Sequence, residues 1–328
     1  MVEIESNKVE STLKKLSENK RIAWVQPSGE FNLLNNQSPE TVAPSLGYQP
    51  IELPISSDGN GIRIALIDSA VDNQHTDIAK AIEHSEDFVS TNISAITSSN
   101  NKSGENHGTA IASVLVAKKN SHLGLSGIAP AANLLAYRGC WENTSGQTNC
   151  NTLSLARALN AVAKSKPDIL NLSLSGPKDL LLDKLIQKIV SNDTLVVAAF
   201  DPERPNKSRF PSRQDGVLIV RAETLDTHYK NEFTAPGSRI VASPGNRYNY
   251  MSGHSVAAAY TSGVLALLSK APLSNTQTQT KNNIKRDDFL DKRGNPKFHT
   301  VNDLIELISI KTSTQEKETD LIRFTVKQ

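Results

Sequence analysis

The sequence predicts an α/β fold, a mostly parallel sheet with helices on both faces. Three observations carry that expectation. Short apolar runs of strand length alternate with helix-length segments through the middle of the chain, as a parallel sheet joined by helical crossovers requires. The longest apolar runs, such as residues 195–200, have the character of buried strands and fall far short of the roughly 18 residues of a membrane span. An acid, Asp68, closes the first run, and sites in such sheets lie at the carboxyl ends of strands.

Taken in order, Val9, Leu13 and Leu16 sit at helical spacing and Asn19 and Lys20 suggest a stop. Residues 21–27 read as a short strand ended by Pro27. Residues 35–60, rich in Pro, Ser and Gly, form a linker. Strands are then expected at 62–67, 134–137, 168–172, 194–199 and 217–220, and helices at 107–117, 152–164, 178–190 and 255–268. This main domain spans 61–271. An extension, 272–328, follows it: a polar Thr- and Gln-rich stretch, a solvated mixed-charge segment around Lys285 to Arg293, and a short helix at 303–310 that packs on the domain.

Composition narrows the partners. The 36 basic residues against 34 acidic ones leave a formal charge of +2, which argues against a nucleic-acid partner. With 38% hydrophobic residues the chain can bury a large core, and no apolar run suggests a membrane partner. Residues 1–6 show no basic stretch leading into an apolar one, so no secretory signal is visible in the sequence as given. Cys140 and Cys150 are the only cysteines and bracket a polar, Gly-containing loop. In a reducing compartment they would be two free thiols. An even pair closing such a loop suits an oxidised protein, where the bridge adds roughly 2–3 kcal/mol by loop entropy.

Three islands carry the chemistry: Ile64 to Asp72, Asn106 to Ala110, and Gly253 to Ala258. They offer an acid ending a strand, Asp68; a histidine opening a helix, His107; and a serine opening another, Ser255. A serine hydroxyl is a weak nucleophile until an imidazole accepts its proton, and the imidazole needs a carboxylate to fix its tautomer and stabilise its charged form. The chain order Asp, His, Ser is the one found in subtilisin. His254, next to the serine, is rejected as the base because sequence neighbours do not face each other on a helix.

On these residues the chain resembles the subtilisin-like (subtilase) serine proteases, from about Gly61 to about Leu268. Further landmarks are similar to that family: Val71-Asp72 with His75-Thr76-Asp77-Ile78, Gly127-Ile128-Ala129-Pro130, Asn171-Leu172-Ser173-Leu174-Ser175-Gly176, and Ala235-Pro236-Gly237. The resemblance implies a subtilisin-like sheet, catalytic Asp68, His107 and Ser255, polypeptide substrates, and backbone recognition of an extended peptide along Ser173, Leu174, Ser175 and Gly176. It places the Cys140–Cys150 loop at the rim of the cleft. It also likens residues 1–34 to the end of an inhibitory prodomain, a partner carried in the same chain; the alternative is an N-terminal helix packed on the enzyme. Cysteines and family together imply a secreted or periplasmic location, with any maturation cut in the linker.

Departures from the family pattern mark what the resemblance leaves open. Phe200-Asp201 stands where the family has Gly-Asn, whose amide donates to the oxyanion; an ionised Asp accepts hydrogen bonds and repels that charge. Asp201 is protonated, or Asn206 supplies the amide, or backbone donors act alone. Phe200 in the same position narrows or lines the primary pocket. Calcium is a family feature with Asp77 as a ligand, but Ser121 replaces the Asn expected opposite it; the ion would be structural, and no cofactor is required. Two function classes follow, a serine endopeptidase and a catalytically impaired peptide binder, with a non-peptide esterase as a weaker third.

Overall fold

Period-two burial in the first apolar run after the linker sets the centre of the molecule, with Ile64 and Leu66 entering one core and Ala65 and Ile67 another. The computed structural model describes residues 4–34, 57–89, 105–118, 125–142, 148–202, 209–211, 214–223, 233–269, 291 and 297–305. In chain order the elements are α1 (Val9–Ser17), β1 (Glu30–Leu33), β2 (Arg63–Asp68), β3 (Ile82–Asp87), α2 (His107–Val116), β4 (Asn133–Arg138), β5 (Cys140–Glu142), β6 (Thr148–Asn151) and α3 (Thr152–Ser165). There follow β7 (Ile169–Leu172), β8 (Leu174–Ser175), α4 (Leu180–Val190), β9 (Leu195–Ala199), β10 (Val217–Ala222), β11 (Phe233–Ala235), β12 (Ser238–Ser243), β13 (Arg247–Ser252) and α5 (His254–Leu268).

Seven strands form one sheet in the order β11-β10-β9-β7-β2-β4-β3, every neighbouring pair parallel. The chain lays down β3 and β4 on one side of β2, then crosses to the other side for β7 onward. The carboxyl end of β2 is therefore the point where strand order reverses, the place where sheets of this kind form a crevice. One core, beneath α2 and α5, takes Ile64, Leu66, Leu115 and Val264; the other, beneath α3 and α4, takes Ile67, Leu155, Leu172 and Ile186.

Local chemistry fixes the helix starts. Asn151 and Ser154 cap α3 reciprocally, and Asp179 accepts the amides of Leu181 and Leu182, so α4 begins at Leu180 rather than at Lys178. Before α5 stands Gly253 at φ 137°, a conformation that side chains resist, and no side chain caps this helix. The first amides of α5, that of Ser255 among them, thus remain outside the helical ladder.

A second sheet, β5-β6-β1-β8, lines the crevice. Its strand β1 corrects the expected N-terminal strand: residues 21–27 join no sheet, and Trp24 there is exposed. Glu30–Leu33 pairs instead because Phe31 and Leu33 bury alternately while Glu30 and Asn32 do not. Residues 301–305 are helical, with Val301, Leu304 and Ile305 in the first core; the remainder of the expected 303–310 helix lies outside the described residues. Among the described residues no helix is long and apolar enough to cross a membrane.

Candidate active site

Asp68 is the last residue of β2 and His107 the first of α2, and the two meet: His107 Nδ1 lies 2.8 Å from Asp68 Oδ1, with both side chains buried. Asp68 Oδ1 also accepts the Ser69 amide at 2.7 Å. Gly108 makes the approach of helix to strand end feasible, since a Cβ there would stand 2.4 Å from the Ser69 carbonyl oxygen. Ser255, fully buried near the start of α5, donates from Oγ to the carbonyl oxygen of Leu34 at 2.6 Å. His107 Nε2, buried, has no hydrogen-bond partner. The imidazole is thus oriented by the acid while the hydroxyl proton is directed to a backbone carbonyl of the N-terminal segment.

That segment lies in the crevice as an added strand. β1 pairs antiparallel with β6 on one side (Glu30↔Asn151, Phe31↔Cys150) and with β8 on the other (Asn32↔Ser175, Leu33↔Leu174). The Leu34 amide donates to Ser173 O at 3.0 Å, so the strand Ser173 to Gly176 receives an extended chain through its backbone. Phe31 is fully buried, edge-on to Phe210 at 5.7 Å, and a Cβ on Gly176 would lie 1.9 Å from its ring. Only glycine at 176 accommodates that ring.

The residues expected around the oxyanion separate. Asp201 accepts Ser175 Oγ at 2.6 Å and pairs with Arg209 Nε at 3.4 Å, so its carboxylate is engaged by two donors. Asn206 lies outside the described residues. Phe200 is buried edge-on to the His254 ring at 5.3 Å, with the Arg221 guanidinium over its face at 5.4 Å. His254 Nδ1 accepts the Ala222 amide at 3.0 Å. Burial, then Arg221, lower the His254 pKa to about 4, so it is neutral near pH 7. Because the unfolded histidine protonates near 6.5, acidification from there towards 4 progressively disfavours the fold, and the cost is absent above 6.5.

Two carboxylates that the sequence analysis did not single out brace the start of α2. Glu105 accepts the Ala70 amide at 2.7 Å and binds Arg138, which also forks onto Asp87; all three side chains are buried. Glu142, on β5, accepts the amides of Asn106 and His107 at 2.8 and 2.9 Å. The sequence holds one signal for it: Glu142 lies two residues after Cys140, on the loop expected at the cleft rim. Replacing Arg138 with alanine strands two buried acids and is expected to destabilise the fold by about 3–5 kcal/mol, read as a drop of several degrees in Tm.

Cys140 and Cys150 are joined by a disulfide across the β5–β6 pair. Asp77 accepts the Tyr248 hydroxyl at 2.7 Å, and its expected partner Ser121 lies outside the described residues. Among the described residues no three acidic, His or Cys side chains gather to hold a metal.

A parallel α/β sheet with a buried acid–imidazole pair and a serine at a helix start defines a serine hydrolase architecture. The model of the subtilase family matches residues 59–298, and the chain belongs to the subtilase family of serine proteases. Its relatives include a thermophilic serine proteinase of Bacillus sp. (strain AK1), 29% identical over 84% of this chain and 68% of that protein. The major intracellular serine protease of Bacillus subtilis (strain 168) is 29% identical over 64% of this chain and 69% of its own length. Among solved structures, the prenylagaramide maturation protease PagA superposes with a TM-score of 0.51 at 25% identity, covering 64% of this chain and 75% of PagA.

Proposed function

We propose that the chain is a serine endopeptidase whose own strand Glu30–Leu33, with Leu34, occupies and blocks its substrate groove. The contact of Ser255 Oγ with Leu34 O, 2.6 Å, supports this reading above all others. On this reading the Leu34 carbonyl is the group attacked, at the boundary between the expected prodomain and linker.

In this mechanism the hydroxyl turns to His107 Nε2 and gives up its proton as Oγ attacks the carbonyl carbon. Asp68 holds the imidazole tautomer through Nδ1 and stabilises the imidazolium. Amides at the start of α5 face the developing oxyanion. His107 then protonates the departing amine, leaving an acyl ester on Ser255 that water cleaves with His107 again as base. Applied to the bond between Leu34 and Asn35, the steps release a chain ending in the Leu34 carboxylate. Asp201, held by Ser175 and Arg209, gives no amide proton to the oxyanion, so the backbone carries that task and turnover is slower than where an Asn assists. The disulfide supports an oxidising, exported location.

The impaired peptide-binder reading draws on the same Asp201 carboxylate. A fluorophosphonate probe separates the two. Labelling of the wild type but not of Ser255→Ala, with a new N-terminus at Asn35, is the expected result; a folded wild type that neither labels nor cleaves substrate peptides overturns the enzyme.

A further inference from the structure

Glu142 stands apart from every other acid near the site. Its Oε1 accepts the amides of Asn106 and His107 and, at 3.3 Å, the hydroxyl of Ser69. Ser69 in turn accepts the Gly108 amide on Oγ at 3.0 Å and donates its own amide to Asp68 Oδ1. One carboxylate oxygen therefore ties the loop after the acid to the first turn of the helix that carries the imidazole.

Charge distinguishes Glu142 from Glu105. Charged and titratable groups on the elements packed about His107 are Arg63 and Asp68 on β2, Tyr137 and Arg138 on β4, Glu142 on β5, Arg239 on β12, and His254 and Tyr260 on α5, with Glu105 just before α2; Arg63, at the far end of β2, pairs with Glu83. Arg138 is consumed by Glu105 and Asp87, Arg239 donates to Ser126 O, and His254 is neutral near pH 7. No Lys or Arg among the described residues forms an ion pair with Glu142. Burial pushes its carboxyl up, opposed by the two helix amides and by His107, while Asp68 adds to the rise. His107 is the cation whose charge favours the carboxylate form.

We infer that Glu142 is a positioning residue for His107 and the second anion, after Asp68, that supports its charged form during acyl transfer. The β5–β6 hairpin, closed by Cys140–Cys150, delivers this carboxylate to the site. The inference rests on His107 being the general base.

Glu142→Gln, which keeps an acceptor oxygen and removes the charge, tests it in the processed enzyme. Less stabilisation of the imidazolium lowers the plateau of kcat about tenfold with KM unchanged. It also moves the acid limb of the kcat/KM profile about one pH unit lower, the scale for an anion removed from a charged neighbour. Glu142→Ala, which loses the acceptor as well, is expected to fall further in kcat. A purely structural role would lower Tm or kcat and leave the acid limb in place. An unmoved limb in Glu142→Gln therefore overturns the inference, whether or not activity falls. A His107→Ala enzyme that stayed active would instead remove the reading beneath it.

Discussion

Alanine at Ser255 is expected to abolish peptide hydrolysis, with kcat falling about a millionfold, the scale known for loss of the nucleophile in subtilisin. The same variant should remain folded and uncut, because the hydroxyl contributes one hydrogen bond to Leu34 while β1 keeps its pairing with β6 and β8. Intact mass separates the outcomes: a full-length Ser255→Ala chain beside a wild type beginning at Asn35 agrees with the mechanism. Cutting at that bond in Ser255→Ala, under protease-free conditions, contradicts it. His107→Ala should share the phenotype, since the mechanism gives the proton to that imidazole.

The second large effect concerns the blocked groove. Phe31→Ala removes a fully buried ring that packs on Phe210 and Gly176 and costs about 3 kcal/mol or more. If that loss falls on segment docking, the occupied state weakens about a hundredfold. Freshly purified Phe31→Ala protein should therefore cleave an added peptide from the first turnover, whereas wild type shows a lag that ends as Leu34 is released. A five-residue peptide of sequence Glu-Phe-Asn-Leu-Leu added to processed enzyme should inhibit competitively, and its Phe-to-Ala version much less. Equal onset in both proteins, with no inhibition by the peptide, would show that the segment is not a block.

Much of the fold was legible because the main strands are buried on both faces and read as unbroken apolar runs. The strand expected at 62–67 is found as Arg63–Asp68 and that at 194–199 as Leu195–Ala199, shifts of a residue. What escaped was structure stabilised by distant partners. The β5–β6 hairpin is short and polar, and β13, half of it exposed, breaks up the apolar pattern of its pair with β12. Trp24 and Val25 have more strand character than Glu-Phe-Asn-Leu, and only β6 and β8, more than a hundred residues away, decide for the latter.

The site divides the same way. Asp68, His107 and Ser255 stand at element ends, where residue type and spacing betray them. Glu105 and Glu142 act by accepting backbone amides, and acceptors of that kind leave no spacing rule in a sequence. Asp201 was visible as an oddity, yet its engagement by Ser175 and Arg209 depends on how the groove wall folds.

Phe31 and Leu33 belong to the interior beneath α3 and α4 as fully as Leu155 or Ile186 do. On the proposed reading the N-terminal strand is thus mortar as well as stopper. On that same reading, its departure bares an apolar slot whose rims, β6 and β8, offer amides and carbonyls to another extended chain, which favours clients with an unfolded stretch.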